Sequence, residues 1–433
     1  MAIKTPQGSV VDTPRGTRDY SPKDAIAAKE VIAVIEETFK RHGFLPLMTP
    51  SIETIQVLNA KAYGDDTTKE LYLIEGGDLA LRFDFTVPLA RYMAMNKNIP
   101  LPFKRYQIGP VWRKDEPQRM RSREFMQADV DIIGAQGAAA DAECIEAMLG
   151  AIEALGIKNP TLLINSRNLL DAILGYFKVT KEKQRAAIRI FDKMSKVSTE
   201  ETIKQLKLLG MEDSAVQSML AFITERMNND DKLKKLEVAI PESKAETDRI
   251  REVIRLLEAY GVSTALKVDL SLARGLDYYT GLVWEVVVET EKGSLPSIAS
   301  GGRYDSLIGM YSKSETPAVG SSIGVTRVLD VLSRDGGPKT YAKVFIATIG
   351  KESFSYSITI ASKMRKAGIH VDMNVTERGI SKQLEYSNSL GIRYVAIMGK
   401  KEADAKKVRL RDMQAGTEEL LDLDAAITNL NKA

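Results

Sequence analysis

Cysteine, histidine and aromatic residues are scarce in this sequence. The 433 residues include one cysteine, two histidines and only 6% aromatic residues, and the charged side chains leave a formal net charge of +3. A lone Cys144 excludes an intramolecular disulfide framework and a cysteine-rich zinc site. His42 and His370 have no metal-ligand spacing, so we predict no metal held by the protein itself. The small net charge means that any polyanionic partner must be met by local clusters of basic residues.

Long apolar segments are absent as well. No uninterrupted run reaches the ~18 apolar residues that a membrane-spanning helix requires, and no cationic start followed by an apolar segment opens the chain. We therefore expect no membrane partner and, with a single cysteine, a reducing compartment such as the cytoplasm. The 44% hydrophobic and 27% charged residues are typical of a globular protein, and the length favours two or three domains.

Hydrophobic periodicity divides the chain into regions. Residues 22–42 predict a long amphipathic helix, and the proline-containing segment 44–50 that follows suits an edge strand. The stretch from about 170 to 260 is almost entirely helix-patterned and interrupts a β-rich pattern, which is typical of an inserted helical domain. Short alternating runs before it predict one antiparallel sheet, at 71–74, 79–85, 103–108 and 127–133.

A different pattern follows a glycine- and proline-containing linker at 334–340. Strand-like runs alternate with helix-like intervals between 343 and 398, which predicts a βαβαβ unit with a mostly parallel sheet. A further strand at 407–411 and a final helix at 424–431 are expected. The end of the chain is thus predicted to be a separate α/β domain.

The segment 274–281 carries the residue types of a ligand site. Its sequence is Arg-Gly-Leu-Asp-Tyr-Tyr-Thr-Gly, so a cation, a carboxylate and two phenols surround a glycine turn before the strand-like run 282–288. Alone, this cluster indicates only a small polar ligand. A tyrosine-bearing turn with a surface ion pair explains it about as well.

A predicted hairpin between residues 104 and 133 is the second candidate. Seven basic residues lie between 104 and 123, and a basic loop of this kind can contact phosphates. The second strand alternates polar and apolar positions, so Phe125, Gln127, Asp129 and Asp131 share one face. That face offers an aromatic ring, an amide and carboxylates beside Arg113. A solvated hairpin with cross-strand ion pairs is the alternative explanation.

These segments resemble the motifs of class II aminoacyl-tRNA synthetases. Arg113 with Asp115 and Phe125 is similar to motif 2, and residues 320–327 are similar to motif 3. The helix at 22–42 resembles motif 1, which lies at the dimer interface in that class. Motif 3 by itself would be a weak signal, but together the motifs are specific.

Within the class, the chain resembles histidyl-tRNA synthetases. Residues 274–280 and 300–305 are similar to the two signature peptides of that family, and residues 15–19 are similar to its N-terminal stretch. The resemblance covers nearly the whole chain in the expected order. It implies an α+β fold, in which the class II antiparallel sheet is flanked by helices and accompanied by a helical insertion and a C-terminal α/β anticodon-binding domain.

The resemblance also implies domain boundaries. The first part of the catalytic domain, with motifs 1 and 2, is expected at 1–170, and its second part, with the signature peptides and motif 3, at 263–333. The helical insertion is expected at 171–262, the linker at 334–340 and the anticodon-binding domain at 341–433.

The implied activity is ATP-dependent attachment of L-histidine to tRNA(His) through a histidyl-adenylate, with release of AMP and pyrophosphate. ATP is a substrate and brings Mg²⁺; tRNA(His) and a second copy of the chain, in a homodimer, are the implied partners.

One alternative is a catalytically inactive synthetase-like regulatory protein of histidine biosynthesis, which the presence of Arg113, Arg274 and Arg327 disfavours. Another is a prolyl, threonyl or glycyl synthetase, which does not explain residues 274–280.

Individual roles follow from the same resemblance. Planar guanidinium groups suit phosphates, and a carboxylate with a phenol can satisfy both nitrogens of an imidazole. The implied catalytic residues are Arg113, Arg274 and Arg327, and those for ATP are Arg113, Asp115, Phe125 and Arg327. The implied histidine-binding residues are Asp84, Phe85, Thr86, Gln127, Asp131, Arg274, Tyr278, Tyr279 and Tyr304. Contacts with tRNA are implied for Gln118, Arg119, Arg121 and Arg378.

Overall fold

The structure, a computed structural model, describes residues 3–4, 10–59, 69–194, 197–290, 293–312, 314–332 and 337–432. The chain forms two compact units, Met1–Asp19 with Glu30–Ser333, and Tyr20–Lys29 with Arg334–Ala433. Within the described ranges, no helix is both long enough and apolar enough to cross a membrane.

Strands and helices alternate irregularly before residue 333. The strands are β1 (Ile3–Lys4), β2 (Val10–Val11), β3 (Leu45–Pro46), β4 (Ile52–Thr54), β5 (Leu79–Leu81), β6 (Phe103–Trp112), β7 (Glu124–Ile133), β8 (Pro160–Ser166), β9 (Ala265–Val268), β10 (Leu282–Thr290), β11 (Gly293–Ser294), β12 (Ala299–Arg303) and β13 (Ala318–Gly324). The helices are α1 (Pro22–Arg41), α2 (Ile55–Leu58), α3 (Thr86–Met95), α4 (Ala138–Ala154), α5 (Arg167–Tyr176), α6 (Lys181–Met194), α7 (Thr199–Leu208), α8 (Asp213–Thr224), α9 (Asn229–Ala239), α10 (Lys244–Ala259) and α11 (Val325–Leu332).

A large, mostly antiparallel sheet organises the first unit. Its strand order is β3-β6-β7-β13-β12-β10-β8-β9, with β11 paired to β10. Only the pairs at its two ends, β3 with β6 and β8 with β9, are parallel. The predicted edge strand is confirmed, because β3 lies at the border of the sheet. Pro46 has no backbone N–H to donate, and an edge strand tolerates this because it has a neighbouring strand on one side only. The central hairpin β6–β7 is paired along its whole length, from Phe103 opposite Ile133 to Trp112 opposite Glu124.

Two runs predicted for this sheet lie elsewhere, so that prediction was wrong for them. Residues 71–74 form no strand, and within the run 79–85 only Leu79–Leu81 forms a β-strand. This strand, β5, pairs with β4 in a separate two-stranded sheet. The extended run ends because the Asp84 carboxylate accepts the backbone N–H of Thr86 at 3.0 Å and thereby begins α3.

The main core lies between α4 and the sheet. Cys144 and Met148 on α4 and Trp284 on β10 are completely buried there. The indole Nε1 of Trp284 donates to Ser321 Oγ at 3.1 Å, so its polar group is satisfied. Burial raises the pKa of the Cys144 thiol well above its usual value, which makes this cysteine a small apolar core residue.

The helices α5 to α10 lie between β8 and β9 in the chain and share this core. Phe191 on α6, Leu236 on α9 and Val253 on α10 belong to the same buried cluster as Trp284. The helical segment and the sheet are therefore packed as one body.

The second unit is an α/β domain. Its strands are β14 (Val344–Thr348), β15 (Val371–Met373), β16 (Tyr394–Met398), β17 (Val408–Asp412) and β18 (Glu418–Leu421), and its helices are α12 (Phe354–Lys366), α13 (Ile380–Ser389), α14 (Lys400–Ala405) and α15 (Leu423–Lys432). The sheet order is β15-β14-β16-β17-β18. The predicted βαβαβ unit is confirmed, since β15, β14 and β16 are parallel. The short elements β18 and α14 were not predicted.

A histidine at the end of α1 joins α4 through a charged contact. His42 Nδ1 lies 2.8 Å from the carbonyl oxygen of Thr38, and Nε2 contacts the carboxylate of Glu146. Lys104 donates to the His42 carbonyl at 2.6 Å and also pairs with Glu143. The hydrogen bond to Glu146 is the main reason that the pKa of His42 is raised. Folding therefore favours the protonated imidazole.

We predict that the thermal stability contributed by His42 depends on pH. Because its pKa is raised in the folded state, the contribution is complete below the unfolded value of about 6.5 and is lost as the pH rises through the folded value. The substitution His42→Gln should cost about 1 kcal/mol near pH 6 and less near pH 9, after allowance for partial solvent screening. Thermal unfolding of both proteins measures this. Glu37→Gln, in an exposed pair with Arg41, is the control; an equal pH dependence for both variants would contradict the prediction.

Candidate active site

One face of β7 collects the aromatic ring, the amide and the two carboxylates that the sequence grouped together. They are Phe125, Gln127, Asp129 and Asp131. The β6–β7 register sets Gln107 opposite Asp129 and Arg105 opposite Asp131. On the other side, β13 sets Ser322 opposite Asp129 and Gly320 opposite Asp131. A Cβ atom at position 320 would overlap the Asp131 carboxylate, so glycine makes room for it. The predicted alternation therefore produces a continuous polar strip.

A buried ion pair forms the deepest part of this strip. Arg105 Nη2 lies 2.7 Å from Asp131 Oδ2, and the two side chains are 0% and 3% exposed. The hydroxyl of Tyr304 donates to the other oxygen of Asp131. Burial raises the pKa of Asp131, and Arg105 opposes that rise. Arg105 was not predicted as a pocket residue, although its position opposite Asp131 in the hairpin is the signal that could have found it.

Three tyrosines pack against one another near Asp131, and one of them, Tyr304, contacts it. The ring centroids of Tyr278 and Tyr279 are 4.8 Å apart, and those of Tyr278 and Tyr304 are 5.8 Å apart. The Tyr278 hydroxyl donates to Asp84 Oδ2 at 3.4 Å. Burial raises the pKa of all three phenols, so they remain neutral hydrogen-bonding groups. We call the polar pocket the set formed by Asp84, Gln127, Asp129, Asp131, Tyr278, Tyr279 and Tyr304.

The two tyrosine-bearing segments hold each other in place. The backbone N–H of Thr280 donates to the Arg303 carbonyl at 2.8 Å, and the N–H of Asp305 donates to Thr280 Oγ1 at 3.0 Å. Thr280 lies just after Tyr279, and Tyr304 lies between Arg303 and Asp305. These bonds therefore fix the relative positions of the phenols from the two segments.

Residues 84–86 line the start of α3. The Oδ1 atom of Asp84 accepts the N–H groups of Thr86 and Val87, at 3.0 and 3.1 Å, so this predicted ligand also caps the helix. The ring of Phe85 is completely buried, with the Arg82 guanidinium 4.7 Å from its centroid. Its carbonyl oxygen accepts from Arg105 Nη2 at 3.2 Å. Phe85 thus has its ring in the core and its carbonyl beside the ion pair.

A group of cations lies near the other end of the β7 strip. The Arg113 guanidinium is 4.3 Å from the ring centroid of Phe83 and 5.1 Å from that of Phe125. Arg327 donates to the carbonyls of Met120 and Ser297, at 3.2 and 2.6 Å. Arg121 pairs with Asp115 at 2.7 Å, and Arg274 pairs with Glu285. We call Arg113, Arg121, Arg274 and Arg327 the arginine cluster.

The arginine cluster is poorly neutralised by the protein. Among the described residues, neither Arg113 nor Arg327 forms an ion pair with a carboxylate. Burial, followed by repulsion from Arg113, Arg274 and Arg121, lowers the pKa of Arg327 to about 10. Several guanidinium groups held close together without matching anions are suited to a ligand that carries several negative charges. The structure therefore brings all three arginines predicted for catalysis to one place.

A family model described as histidyl-tRNA synthetase matches residues 16–328. The chain belongs to this family. A second model, described as an anticodon binding domain, matches residues 343–433. The two matches together span both compact units of the enzyme.

Known relatives match the enzyme over almost its whole length. The histidine–tRNA ligase of Wolinella succinogenes is 37% identical over 432 residues, 96% of this chain and 97% of that protein. The histidine–tRNA ligase of Thermococcus kodakarensis is 35% identical over 431 residues, which are 97% of this chain and 98% of that protein. The crystal structure of histidyl-tRNA synthetase from Nostoc sp. PCC 7120 is 29% identical, with a TM-score of 0.84, and covers 97% of this chain and 99% of that one.

These matches identify the reaction. The enzyme is a histidine–tRNA ligase, which uses ATP to attach L-histidine to tRNA(His) through a histidyl-adenylate. The regulatory alternative is no better supported by the relatives. The family match also decides against a prolyl, threonyl or glycyl synthetase.

The residues predicted to contact tRNA lie outside the polar pocket. Gln118 and Arg119 are exposed in the loop between β6 and β7, where the N–H of Gln118 donates to the Arg121 carbonyl at 3.1 Å. Arg121 is turned toward Asp115 by their ion pair. In the second unit Arg378 is exposed just before α13, and its carbonyl accepts from Gln383 at 2.7 Å. Of the predicted tRNA contacts in the loop, Arg119 is therefore an exposed cation, whereas Arg121, partly exposed, pairs with Asp115 and belongs with the arginine cluster.

The helical segment contacts the first signature peptide directly and the second through Asp141 on α4. Arg189 on α6 donates to Asp277 at 2.9 Å, beside the tyrosines of the first peptide. Arg249 on α10 donates to Asp141 Oδ2 at 2.6 Å, and Arg303 of the second peptide donates to Asp141 Oδ1 at 2.7 Å. Asp141 is completely buried between the two guanidinium groups. A single carboxylate thus joins α4, α10 and the strand that leads to Tyr304.

We predict that Arg303→Ala destabilises the first unit by about 3–5 kcal/mol, because it removes one partner of a buried charge. Arg249→Ala should cost less, since its side chain is 27% exposed. Denaturant and thermal unfolding measure both losses. Lys244→Ala provides the matched control, because its pair with Asp248 is exposed on the same helix and should be worth less than about 1 kcal/mol. A loss for Arg303→Ala no greater than for Lys244→Ala would contradict the assignment.

Proposed function

We propose that L-histidine binds in the polar pocket with its imidazole between Asp131 and Tyr279 and its α-ammonium group near Asp84, Thr86 and Gln127. The observation that carries this proposal is the continuous strip on β7, which leads from the polar pocket to the arginine cluster. Asp131 already accepts from Tyr304 and faces Arg105. A carboxylate has about four lone-pair sites, so it can also accept an imidazole N–H.

Arginine cluster residues would bind the triphosphate of ATP. In this arrangement Arg113 contacts the α-phosphate, Arg327 the γ-phosphate end, and Phe125 stacks on adenine, with Asp115 positioned by Arg121. The histidine carboxylate is already ionised at neutral pH, so no general base is required. One of its oxygens attacks the α-phosphorus and pyrophosphate leaves. Arg113 and Arg274 stabilise the negative charge that builds up on the phosphoryl oxygens during the attack.

Magnesium would enter with ATP as part of the substrate. Among the described residues no group of three or more acidic, histidine or cysteine side chains could hold a metal ion. Phosphate oxygens and water must then supply most ligands of Mg²⁺. Two neighbouring carboxylates, Glu70 and Asp115, fit the hydrated ion beside Arg113. Burial and the charge of Asp115 raise the pKa of Glu70, so this acidic pair is suited to a cation.

The terminal ribose hydroxyl of tRNA(His) would then attack the adenylate carbonyl. We propose that Gln118, Arg119 and Arg121 approach the acceptor end, that residues 171–262 act as an insertion domain, and that residues 341–433, with Arg378, read the anticodon. The catalytic domain would comprise 1–170 and 263–333, joined to the last domain by the linker 334–340.

A homodimer in the cytoplasm completes the proposal. The segment after α1 exposes large apolar side chains: Leu45 is 58% exposed, Met48 91% and Ile52 47%. They follow the helix that resembles motif 1, and Leu45 lies in β3 at the open edge of the large sheet. An edge strand with exposed apolar residues is suited to pairing with a second copy. The single cysteine fits a reducing compartment.

The deciding experiment is exchange of labelled pyrophosphate into ATP, without tRNA, for each amino acid in turn. We expect exchange with histidine alone, because analogues without both imidazole nitrogens leave buried polar groups unpaired. Arg327→Ala should reduce the exchange about 100-fold or more, since it removes charge stabilisation at the phosphates. Arg226→Ala, in an exposed position of the helical segment, is the control. Unchanged exchange by the Arg327 variant would contradict the assigned ATP site.

Arg119 provides a separate test of the tRNA contact. We predict that Arg119→Ala lowers the kcat/KM of tRNA charging about tenfold and leaves pyrophosphate exchange unchanged, because its side chain is exposed and contacts only the polyanion. Arg121→Ala should reduce both tRNA charging and pyrophosphate exchange, because it removes the ion-pair partner that positions Asp115 in the proposed ATP site. Equal losses in both assays for Arg119→Ala would show that the loop acts on the ATP site instead.

A further inference from the structure

Asp129 is a buried carboxylate to which the proposed mechanism gives no role. Its side chain is 4% exposed and lies on β7 between Gln127 and Asp131. Its Oδ1 atom receives no hydrogen bond from the described residues, and neither does Oε1 of Gln127. A buried acceptor without a donor is costly, so such an atom indicates a ligand.

A serine orients both unpaired acceptors. Gln127 Nε2 donates to Ser322 Oγ at 2.9 Å, and the Ser322 hydroxyl hydrogen-bonds to Asp129. This chain of donors fixes the amide nitrogen of Gln127 toward Ser322 and leaves its oxygen available. Alternate residues on one face of a strand are about 6.6 Å apart. One ammonium group can therefore reach Gln127 Oε1 and Asp129 Oδ1 together.

The charges around Asp129 also favour a cation. The groups that interact with it electrostatically are Arg82 and Asp84 before α3, Arg105 on β6, Asp131 on β7, and Tyr278 and Tyr279. This set contains three carboxylates, those of Asp84, Asp129 and Asp131, but only two guanidinium groups, those of Arg82 and Arg105. Burial, then the charge of Asp131, raises the pKa of Asp129 to about 7. A bound ammonium group would supply the missing positive charge.

We propose that Asp129 binds the α-ammonium group of histidine, as an acceptor in addition to Asp84, Thr86 and Gln127. The inference rests on the proposed placement of histidine in the polar pocket. In this position Asp129 lies on the strip between the residue assigned to the ammonium group and the residue assigned to the imidazole.

Two histidine analogues separate this role from a structural one. Histidinol keeps the imidazole and the ammonium group, whereas imidazolepropionate keeps the imidazole and lacks the ammonium group. Calorimetry with Asp129→Asn, which preserves the shape of the side chain, should show histidinol binding weakened about 10- to 100-fold, the value of a charge-assisted hydrogen bond. Binding of imidazolepropionate should stay within about threefold of the wild-type value.

The pH dependence gives a second test, in which Asp129→Asn is the reference. Deprotonation of Asp129 favours the ammonium ligand, so the ratio of histidinol affinity to imidazolepropionate affinity, divided by the same ratio in Asp129→Asn, should rise as the pH increases through about 7. The imidazoles of the two ligands titrate at different pH values, because the ammonium group of histidinol lowers the pKa of its imidazole. The variant contains this difference without the titration of Asp129, so the comparison removes it.

Equal weakening of both ligands by Asp129→Asn, or no weakening of either, would overturn the inference, as would the same pH dependence of the affinity ratio in the wild-type enzyme and the variant. Asp131→Asn tests the placement of histidine separately. It should weaken both ligands, because both contain the imidazole. If it weakens neither, the placement itself is wrong; if it weakens both while Asp129→Asn affects neither, only the role of Asp129 fails.

Discussion

The buried contact between Arg105 and Asp131 is the constraint on which the site depends. Two charges with almost no exposed surface are tolerated when they lie close together and gain further hydrogen bonds. Tyr304 and the carbonyl of Phe85 supply such bonds, whereas Nε and Nη1 of Arg105 have no hydrogen-bond partner among the described residues. The contact thereby ties the central hairpin to α3 and to the second signature peptide. A slip of one residue between β6 and β7 would turn Asp131 to the opposite face, so the ion pair and the strand register specify each other.

The arginine cluster illustrates the opposite arrangement. Its guanidinium groups repel one another, and two of them have no carboxylate partner among the described residues. In the proposed ATP site, a bound polyanion would relieve this repulsion, so the positive charge is arranged before the substrate arrives. Under that proposal, part of the affinity for the phosphates comes from relief of the repulsion.

Local patterns in the sequence predicted much of the fold and part of the site. The alternation from Phe125 to Asp131 correctly placed these side chains on one strand face, because strand periodicity is a local property. The prediction failed at 79–85, where the hydrogen bonds of Asp84 begin a helix within an apolar run. Arg303 and Asp141 are far apart in the sequence, and nothing in their neighbourhoods indicates that they pair. Such partners are chosen by the packing of the whole unit, so they could not be predicted from local sequence.

The position of the helical segment in the chain has a consequence for synthesis of the protein. Strand β8 pairs with β9 and β10, but about a hundred residues separate Thr161 from its partner Ala265. On the ribosome, β8 emerges long before β9 or β10 has been made. Its backbone N–H and C=O groups therefore have no partner strand while the intervening helices are synthesised. Helices form early because their contacts are local. We therefore expect the helical segment to form before the two halves of the sheet pair.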